Sequence, residues 1–368
     1  MIKEKKAAPP ASIFADGALP DIAAALLRWY DAGHRDLPWR AQPTPYRVWV
    51  SEIMLQQTRV EAVLPYFERF LAALPDVAAL AACDTDRLMK LWEGLGYYSR
   101  ARCLQRAAML IMQLHSGALP ADYDALRALP GIGDYTAGAI ASIAFGLQAV
   151  AVDGNVVRVA SRLSAWAGDC GSPQAKKLFA EELRRRLPED RPGDFNQALM
   201  ELGATVCVPN GRPLCQRCPL ADRCLGLQQG QPEAYPRKAA KRPRRQEHRT
   251  VLAIVSAGRA LLRQRPPKGL LAGLWELPNE AGEMEREQAA RALSAMGLAV
   301  EELAELPAAE HMFTHVHWHM SGYLAKVAAA EAPPGCSWVS RAQMGEGYAL
   351  PSAFKAYRGP LLRAMEEG

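Results

Sequence analysis

The chain has 368 residues, 49% of them apolar, and a formal net charge of only +5. That length predicts two or three ordinarily packed domains, and the weak positive balance leaves any nucleic-acid contact to a local basic patch. No apolar run is long enough to span a bilayer, and the basic start MIKEKKAAPPASIF lacks the apolar core of a signal peptide, so a cytoplasmic protein without membrane contact is expected.

Residues 1–17 read as a tail. Residues 18–226 read as helices with short breaks. After Tyr98, for example, Leu104, Ala107, Ala108, Ile111 and Leu114 fall on one helical face, and Pro120, Pro130, Pro188 and Pro192 punctuate the segments. Residues 227–249 contain YPRKAAKRPRRQEHR and read as a basic, proline-rich linker, either a solvated hinge or a strap that contacts phosphates. Beyond it the pattern changes to period two. TVLAIVSAG and RALLRQR read as strands paired around Ala257-Gly258, residues 285–296 as a helix, and Val316, Trp318 and Met320 as one face of a further strand. A smaller α+β domain over residues 250–362 follows.

Four features carry chemistry. Cys207, Cys215, Cys218 and Cys224 crowd into one loop, and four thiolates this close suit Zn²⁺ or an iron–sulfur cluster equally well. Cys83, Cys103, Cys170 and Cys336 stand apart and read as buried thiols. Arg212, Arg217 and Arg223 decorate the cysteine loop as phosphate contacts or as a solvated surface. Leu129-Pro130-Gly131-Ile132-Gly133 lies between two expected helices. Gly131 and Gly133 there permit a tight positive-φ turn that turns the next helix's amides toward an anion. Asp153, in VDGN, reads as a helix N-cap that could also do chemistry. Glu52 stands among Val50, Ile53, Met54 and Leu55, surroundings that would raise its pKa.

The hairpin resembles a helix-hairpin-helix DNA-binding element. Together with the downstream aspartate and the cysteine loop, it resembles the endonuclease III superfamily of DNA glycosylases. LPWR (37–40), VWVSEIMLQQTRV (48–60), WEGLGYYSRAR (92–102), VDGNVVRV (152–159) and FNQALMELGATVC (195–207) are similar to its adenine-specific branch. The resemblance implies a mostly α helix-hairpin-helix glycosylase domain at 18–226 with one [4Fe–4S] cluster held by the four cysteines of loop 207–224. It implies a monomer acting on double-stranded DNA that carries adenine opposite 8-oxoguanine or guanine. The base is flipped out, its N-glycosidic bond is hydrolysed and an abasic site remains.

The same resemblance assigns roles. Glu52 is the general acid, Asp153 the carboxylate that stabilises the cationic sugar, and Asn155 a positioner of water or of Asp153. Relatives that also cut the strand carry lysine at position 135, where it forms a Schiff base. A phenol cannot form an imine, so Tyr135 implies a monofunctional enzyme. Gln57 and Tyr97 would enter the duplex, while Arg35, Trp39, Arg40, Leu55 and Gln197 would line the adenine pocket. The spacing between Cys207 and Cys215 is one residue longer than the family's usual one, which Asn210-Gly211 could absorb as a turn.

GLLAGLWELP (269–278) followed by a helix resembles the Nudix fold, so the C-terminal domain is expected to be Nudix-like. Ala290 and Arg291 stand where that family's adjacent glutamates belong, which argues against phosphohydrolysis. The resemblance implies a lesion-recognition domain instead, with Phe313, Thr314 and His315 as its recognition loop. His315, His317 and His319 share a strand face. A polar or lesion-recognition surface is expected rather than a metal site, because no carboxylate or cysteine accompanies them in the sequence. Two alternatives complete the expectations. A bifunctional glycosylase and lyase for oxidised pyrimidines would want lysine at 135. A noncatalytic lesion-binding protein would lack one of the carboxylates.

Overall fold

The structure is a computed structural model and describes residues 22–239 and 243–367. The expected tail at 1–17 and the linker residues 240–242 lie outside the described residues. The chain forms two compact units. One comprises Met1–Ala81 with Cys103–Ala240, and the other Ala82–Arg102 with Lys241–Gly368. No helix among the described residues is long and apolar enough to cross a membrane.

The first unit is helical. The Pro45–Leu55 helix starts where the sequence allows it: Thr44 Oγ1 accepts from the Arg47 amide at 3.4 Å, and Pro45 occupies the first turn, where its missing N–H costs nothing. Val48, Trp49, Val50, Ile53 and Met54 on this helix are all buried. Burial of each such side chain contributes about 1.5–3 kcal/mol, and together they fix the helix that carries Glu52.

The Asp134–Phe145 helix is built from small buried residues. A Cβ on Gly138 would stand 2.0 Å from the Val150 carbonyl oxygen, so the chain at 149–151 can lie against this helix only because residue 138 is glycine. Asn196, buried on the Pro192–Thr205 helix, secures the same stretch: Nδ2 donates to the Ala149 carbonyl at 2.8 Å, and Oδ1 accepts from the Ala151 amide at 3.0 Å. This strap delivers Asp153 to the N-terminus of the Gly154–Leu163 helix. Val156, Ala160, Phe179, Phe195, Leu199 and Leu202 belong to the core behind it.

The second unit holds a seven-stranded sheet. Its strands are β1 (Arg245–Ser256), β2 (Arg259–Gln264), β3 (Trp275–Glu276), β4 (Asn279–Ala281), β5 (Val300–Met312), β6 (Val316–Val327) and β7 (Cys336–Val339). The central order is β3-β2-β1-β6-β5, with β4 on β1 and β7 on β2. β1 and β6 run parallel; β5 is antiparallel to β6, and β2 to β1. Apolar side chains alternate between two cores. Val251, Ala253, Trp318 and Met320 pack with Tyr357 and Leu361 of the Lys355–Glu366 helix. Leu252, Ile254 and Leu261 pack with Ala289 and Leu293 of the Arg286–Ala295 helix. Cover on both faces explains why β1 reads as a continuous apolar run. The hairpin around Ala257-Gly258 forms as expected, both residues taking positive φ.

Two boundaries differ from expectation. The expected linker at 227–249 is partly structured. Pro232 and Tyr235 are buried, their carbonyls accept from Arg162 Nε at 2.9 and 3.0 Å, and β1 already begins at Arg245. The segment 82–102, placed by sequence in the helical domain, groups with the C-terminal unit. Polar contacts hold it there. Lys90 Nζ donates to the Met344 carbonyl at 2.7 Å, and Glu93 Oε1 accepts from the Leu350 amide at 3.0 Å and from Arg358 at 3.4 Å.

Candidate active site

Glu52 and Asp153 line one cavity of about 620 Å³ in the first unit, together with Arg35, Trp39, Leu55, Tyr135, Asn155 and Gln197. The cavity joins residues from six helices, Pro38–Ala41, Pro45–Leu55, Val60–Ala73, Asp134–Phe145, Gly154–Leu163 and Pro192–Thr205. Glu52 is buried, and burial is the main reason its carboxyl is pushed up to about 7. The negative charge of Asp153 adds to that rise, while Tyr135 and Arg40 oppose it. Tyr135 Oη donates to Glu52 Oε2 at 2.5 Å and also approaches Met200 Sδ at 3.2 Å. Burial holds the phenol well above its usual range, so Tyr135 is a fixed donor rather than a base.

Asp153 caps the helix as its sequence suggests. Oδ1 accepts from the Val156 amide at 2.7 Å, and Oδ2 accepts from Asn155 Nδ2 at 2.7 Å. Burial raises its pKa, and these donors pull against the rise. Two carboxyls thus sit in different environments: one in an apolar helix with a single phenol donor, one among amide donors at a helix N-terminus. This division suits an acid and an anion side by side.

Glu201 is a third carboxylate in the pocket, and sequence reasoning missed it. Burial raises its pKa, but hydrogen bonds from Arg35 and Arg40 outweigh burial and leave it below the ordinary value. Arg35 Nε and Nη2 bind its two oxygens at 2.7 and 3.0 Å, and Arg40 Nη2 binds at 2.8 Å. Arg35 and Arg40, expected to line the adenine pocket, do line the cavity and are engaged there with Glu201. The available signal was an imbalance: cations five residues apart around LPW need a buried anion. Trp39 is buried edge-to-face on Phe67 at 5.3 Å, so it is core as well as pocket wall. Leu55 and Gln197 are half-buried. Gln56, also missed, donates to Thr136 Oγ1 at 3.2 Å. Gln57 is exposed with φ 60°, a strained conformation for a residue with a side chain.

The hairpin glycines differ from each other. Gly131 has φ 81°, and a Cβ there would lie 2.7 Å from Cys103 Cβ. Gly133 does not share the expected positive φ. It is the extended N-cap of the Asp134–Phe145 helix, at φ −96° and ψ −178°, with open space beside it. No side chain caps this helix end.

The four cysteines form no disulfide and line a single pocket with Arg162. The donor set fits a metal or cluster. Arg162 Nη1 lies 3.2 Å from Cys207 Sγ and 2.9 Å from the Val208 carbonyl, placing a buried cation beside sulfur that would be anionic. Within the longer spacing Gly211 is exposed at φ 75°, and the Leu214 amide closes the loop on the Val206 carbonyl at 2.9 Å. Arg212 and Arg217 are exposed; Arg223 is only partly so and lies 4.0 Å from Asp222. Arg158, one turn before Arg162, ties this loop to Asn155 beside Asp153. It donates to the Cys207 carbonyl at 2.7 Å, the Gly203 carbonyl at 2.7 Å and Asn155 Oδ1 at 2.8 Å. Arginines spaced by four on an otherwise apolar helix were the sequence signal for this pair.

In the second unit, residues 313–315 form the turn between β5 and β6. Phe313 packs edge-to-face on Trp318 at 4.9 Å, while Thr314 and His315 are exposed. The exposed Tyr97, φ 47°, lies 3.2 Å from Thr314 Oγ1 through its hydroxyl. The Arg286–Ala295 helix carries Ala290 and Arg291 at the positions noted above.

Residues 50–188 match the HhH-GPD superfamily base excision DNA repair protein family, and residues 250–358 the NUDIX domain family. The adenine DNA glycosylase of Mus musculus is 36% identical, covering 90% of this chain and 76% of its own length. That of Homo sapiens is 35% identical over 91% and 73%. Among solved structures, a thermostable thymine-DNA glycosylase aligns with a TM-score of 0.52 and 27% identity, covering 56% of this chain and 94% of that one.

Proposed function

The chain belongs to the adenine DNA glycosylase family, and we propose that it hydrolyses the N-glycosidic bond of adenine paired with 8-oxoguanine or guanine in duplex DNA. It is a base-excision repair glycosylase of the monofunctional kind. The observation that carries the mechanism is the pair of differently held carboxyls, Glu52 at about 7 and Asp153 under two close donors.

Adenine leaves the stack and enters the cavity, at a cost of a few kcal/mol. Glu52, protonated in a large fraction of molecules at neutral pH, gives its proton to a ring nitrogen of the base. The C1′–N9 electron pair then departs with a neutralised leaving group. Asp153 stays anionic and faces the positive charge that grows on the sugar, as the second carboxylate does in glycoside hydrolysis. Water attacks C1′ and returns a proton to Glu52. Asn155 holds Asp153, and Tyr135 holds Glu52; with no amine at 135, the strand stays intact. Gln197 presents an amide suited to an adenine edge. Gln57 fills the unstacked site, and the uncapped helix after Gly133 grips a phosphate through its amides.

Cys207, Cys215, Cys218 and Cys224 would hold a [4Fe–4S] cluster. Such a cluster supplies a structural pin for a loop without its own core. Thr314 and His315 serve as the contacts to the base opposite adenine.

The test is adenine release from duplexes with A opposite 8-oxoguanine, G or T, read with and without alkali. Release from the first two, with strand breaks only after alkali, is expected. Breaks without alkali would overturn the monofunctional assignment, and equal release from A·T would overturn the lesion specificity.

A further inference from the structure

The sequence argued against a metal at His315, His317 and His319 because no carboxylate accompanied them. The sheet register supplies one. β5 pairs antiparallel with β6 so that Glu310 stands opposite His319 and Met312 opposite His317. Glu310 Oε2 lies 3.2 Å from His317 Nε2, and its Oε1 lies 3.2 Å from His319 Nδ1. One ligand atom from each of the three residues falls within 4.8 Å of the others. His315, in the turn, is not one of the three.

Hydrogen bonding fixes what His319 offers. Gln246 Nε2 donates to the Arg244 carbonyl at 3.2 Å, which orients the amide with Oε1 toward His319 Nε2 at 2.8 Å. Nε2 therefore carries a hydrogen. In the neutral ring Nδ1 then presents a lone pair, and it presents it to a carboxylate oxygen. Two acceptors 3.2 Å apart call for a positive species between them, either a proton or a metal ion. The separation suits a metal: two ligands at about 2.0–2.1 Å from a tetrahedral zinc stand about 3.3 Å apart.

We propose that Glu310, His317 and His319 form a binding site for a divalent transition metal of the zinc class. Two imidazoles and one carboxylate favour such an ion over Mg²⁺ or Ca²⁺, which prefer all-oxygen shells. Gln246 fixes the ring of His319 from behind, the usual role of a partner to a ligating histidine. The metal ties β5 to β6 next to the turn at 313–315 and stiffens that hairpin. The value of that stiffening to lesion recognition rests on the function proposed above; the site itself does not.

The experiment uses the full-length protein, dialysed first against a chelating resin and then against Zn²⁺. Zinc and iron per chain are measured for the parent, for Glu310→Gln and for the double variant His317→Asn/His319→Asn. The parent is expected to hold one zinc more than either variant, at equal iron. Equal zinc in all three overturns the site. A zinc absorption-edge spectrum of the loaded parent gives an answer even if a variant fails to fold. Two imidazoles with oxygen are expected, and a sulfur shell would place the zinc on the cysteine loop and overturn the proposal. Neither readout depends on adenine release.

Discussion

The Tyr135 hydroxyl donates to Glu52 across 2.5 Å inside a helix-lined cavity. This donor stabilises the ionised form of Glu52 and restrains the rise that burial imposes. Tyr135→Phe removes the restraint. If Glu52 is the acid, as proposed above, adenine release needs it protonated, and activity in the parent falls as pH rises through about 7. In the variant that alkaline limb moves to higher pH. Single-turnover rates across the pH range check this, and an unmoved limb contradicts it.

Glu52 also costs stability. A carboxyl raised from 4.5 to about 7 stabilises the fold fully below pH 4.5 and loses that contribution as pH rises through 7. Glu52→Gln carries no titrating group. It should match the parent near pH 4 and exceed it by up to about 3 kcal/mol at pH 8. Urea melts at the two pH values test the prediction.

Arg158 joins the loop of Cys207 to Asn155, and through Asn155 to Asp153. Arg158→Gln breaks charge-assisted bonds to two backbone carbonyls, of Cys207 and Gly203, and to Asn155. Such bonds contribute about 1.5–3 kcal/mol each. Iron retention and adenine release are expected to fall together. Full iron with parental rate would mean that Arg158 only fills space.

The two hairpin glycines separate geometry from proximity. Gly131→Ala meets Cys103 Cβ and a φ of 81° at once, and should destabilise the fold by on the order of 1–3 kcal/mol. Gly133→Ala fits the extended backbone and open space. It should leave the melting temperature unchanged while weakening duplex binding, because its methyl would stand in the way of the phosphate contact proposed above. Unchanged duplex affinity for both variants would remove the hairpin from the DNA contact.

Residues defined by local pattern were legible in the sequence. Asp153 is a cap because Asp-Gly-Asn opens a helix, and Glu52 is raised because its neighbours along the helix are apolar. The β1–β2 hairpin and the buried face of β6 followed from period two. What escaped notice depends on long-range closure. Glu201 becomes the anchor of Arg35 and Arg40 only when the chain brings together residues more than 160 positions apart. Glu310 meets His317 and His319 only through strand register. The segment 82–102 joins the second unit through Lys90, Glu93 and Tyr97, whose partners lie more than 200 residues further on. Helical periodicity carries no information about such partners.

The most direct test of the paired-carboxylate account is single-turnover adenine release from a duplex with A opposite 8-oxoguanine, run in parallel for the parent, Glu52→Gln and Asp153→Asn. Both variants are predicted to bind the duplex within a few fold of the parent and to slow release by at least about 10²-fold, the usual contribution of a positioned acid or base. Parental release by either variant would contradict the account.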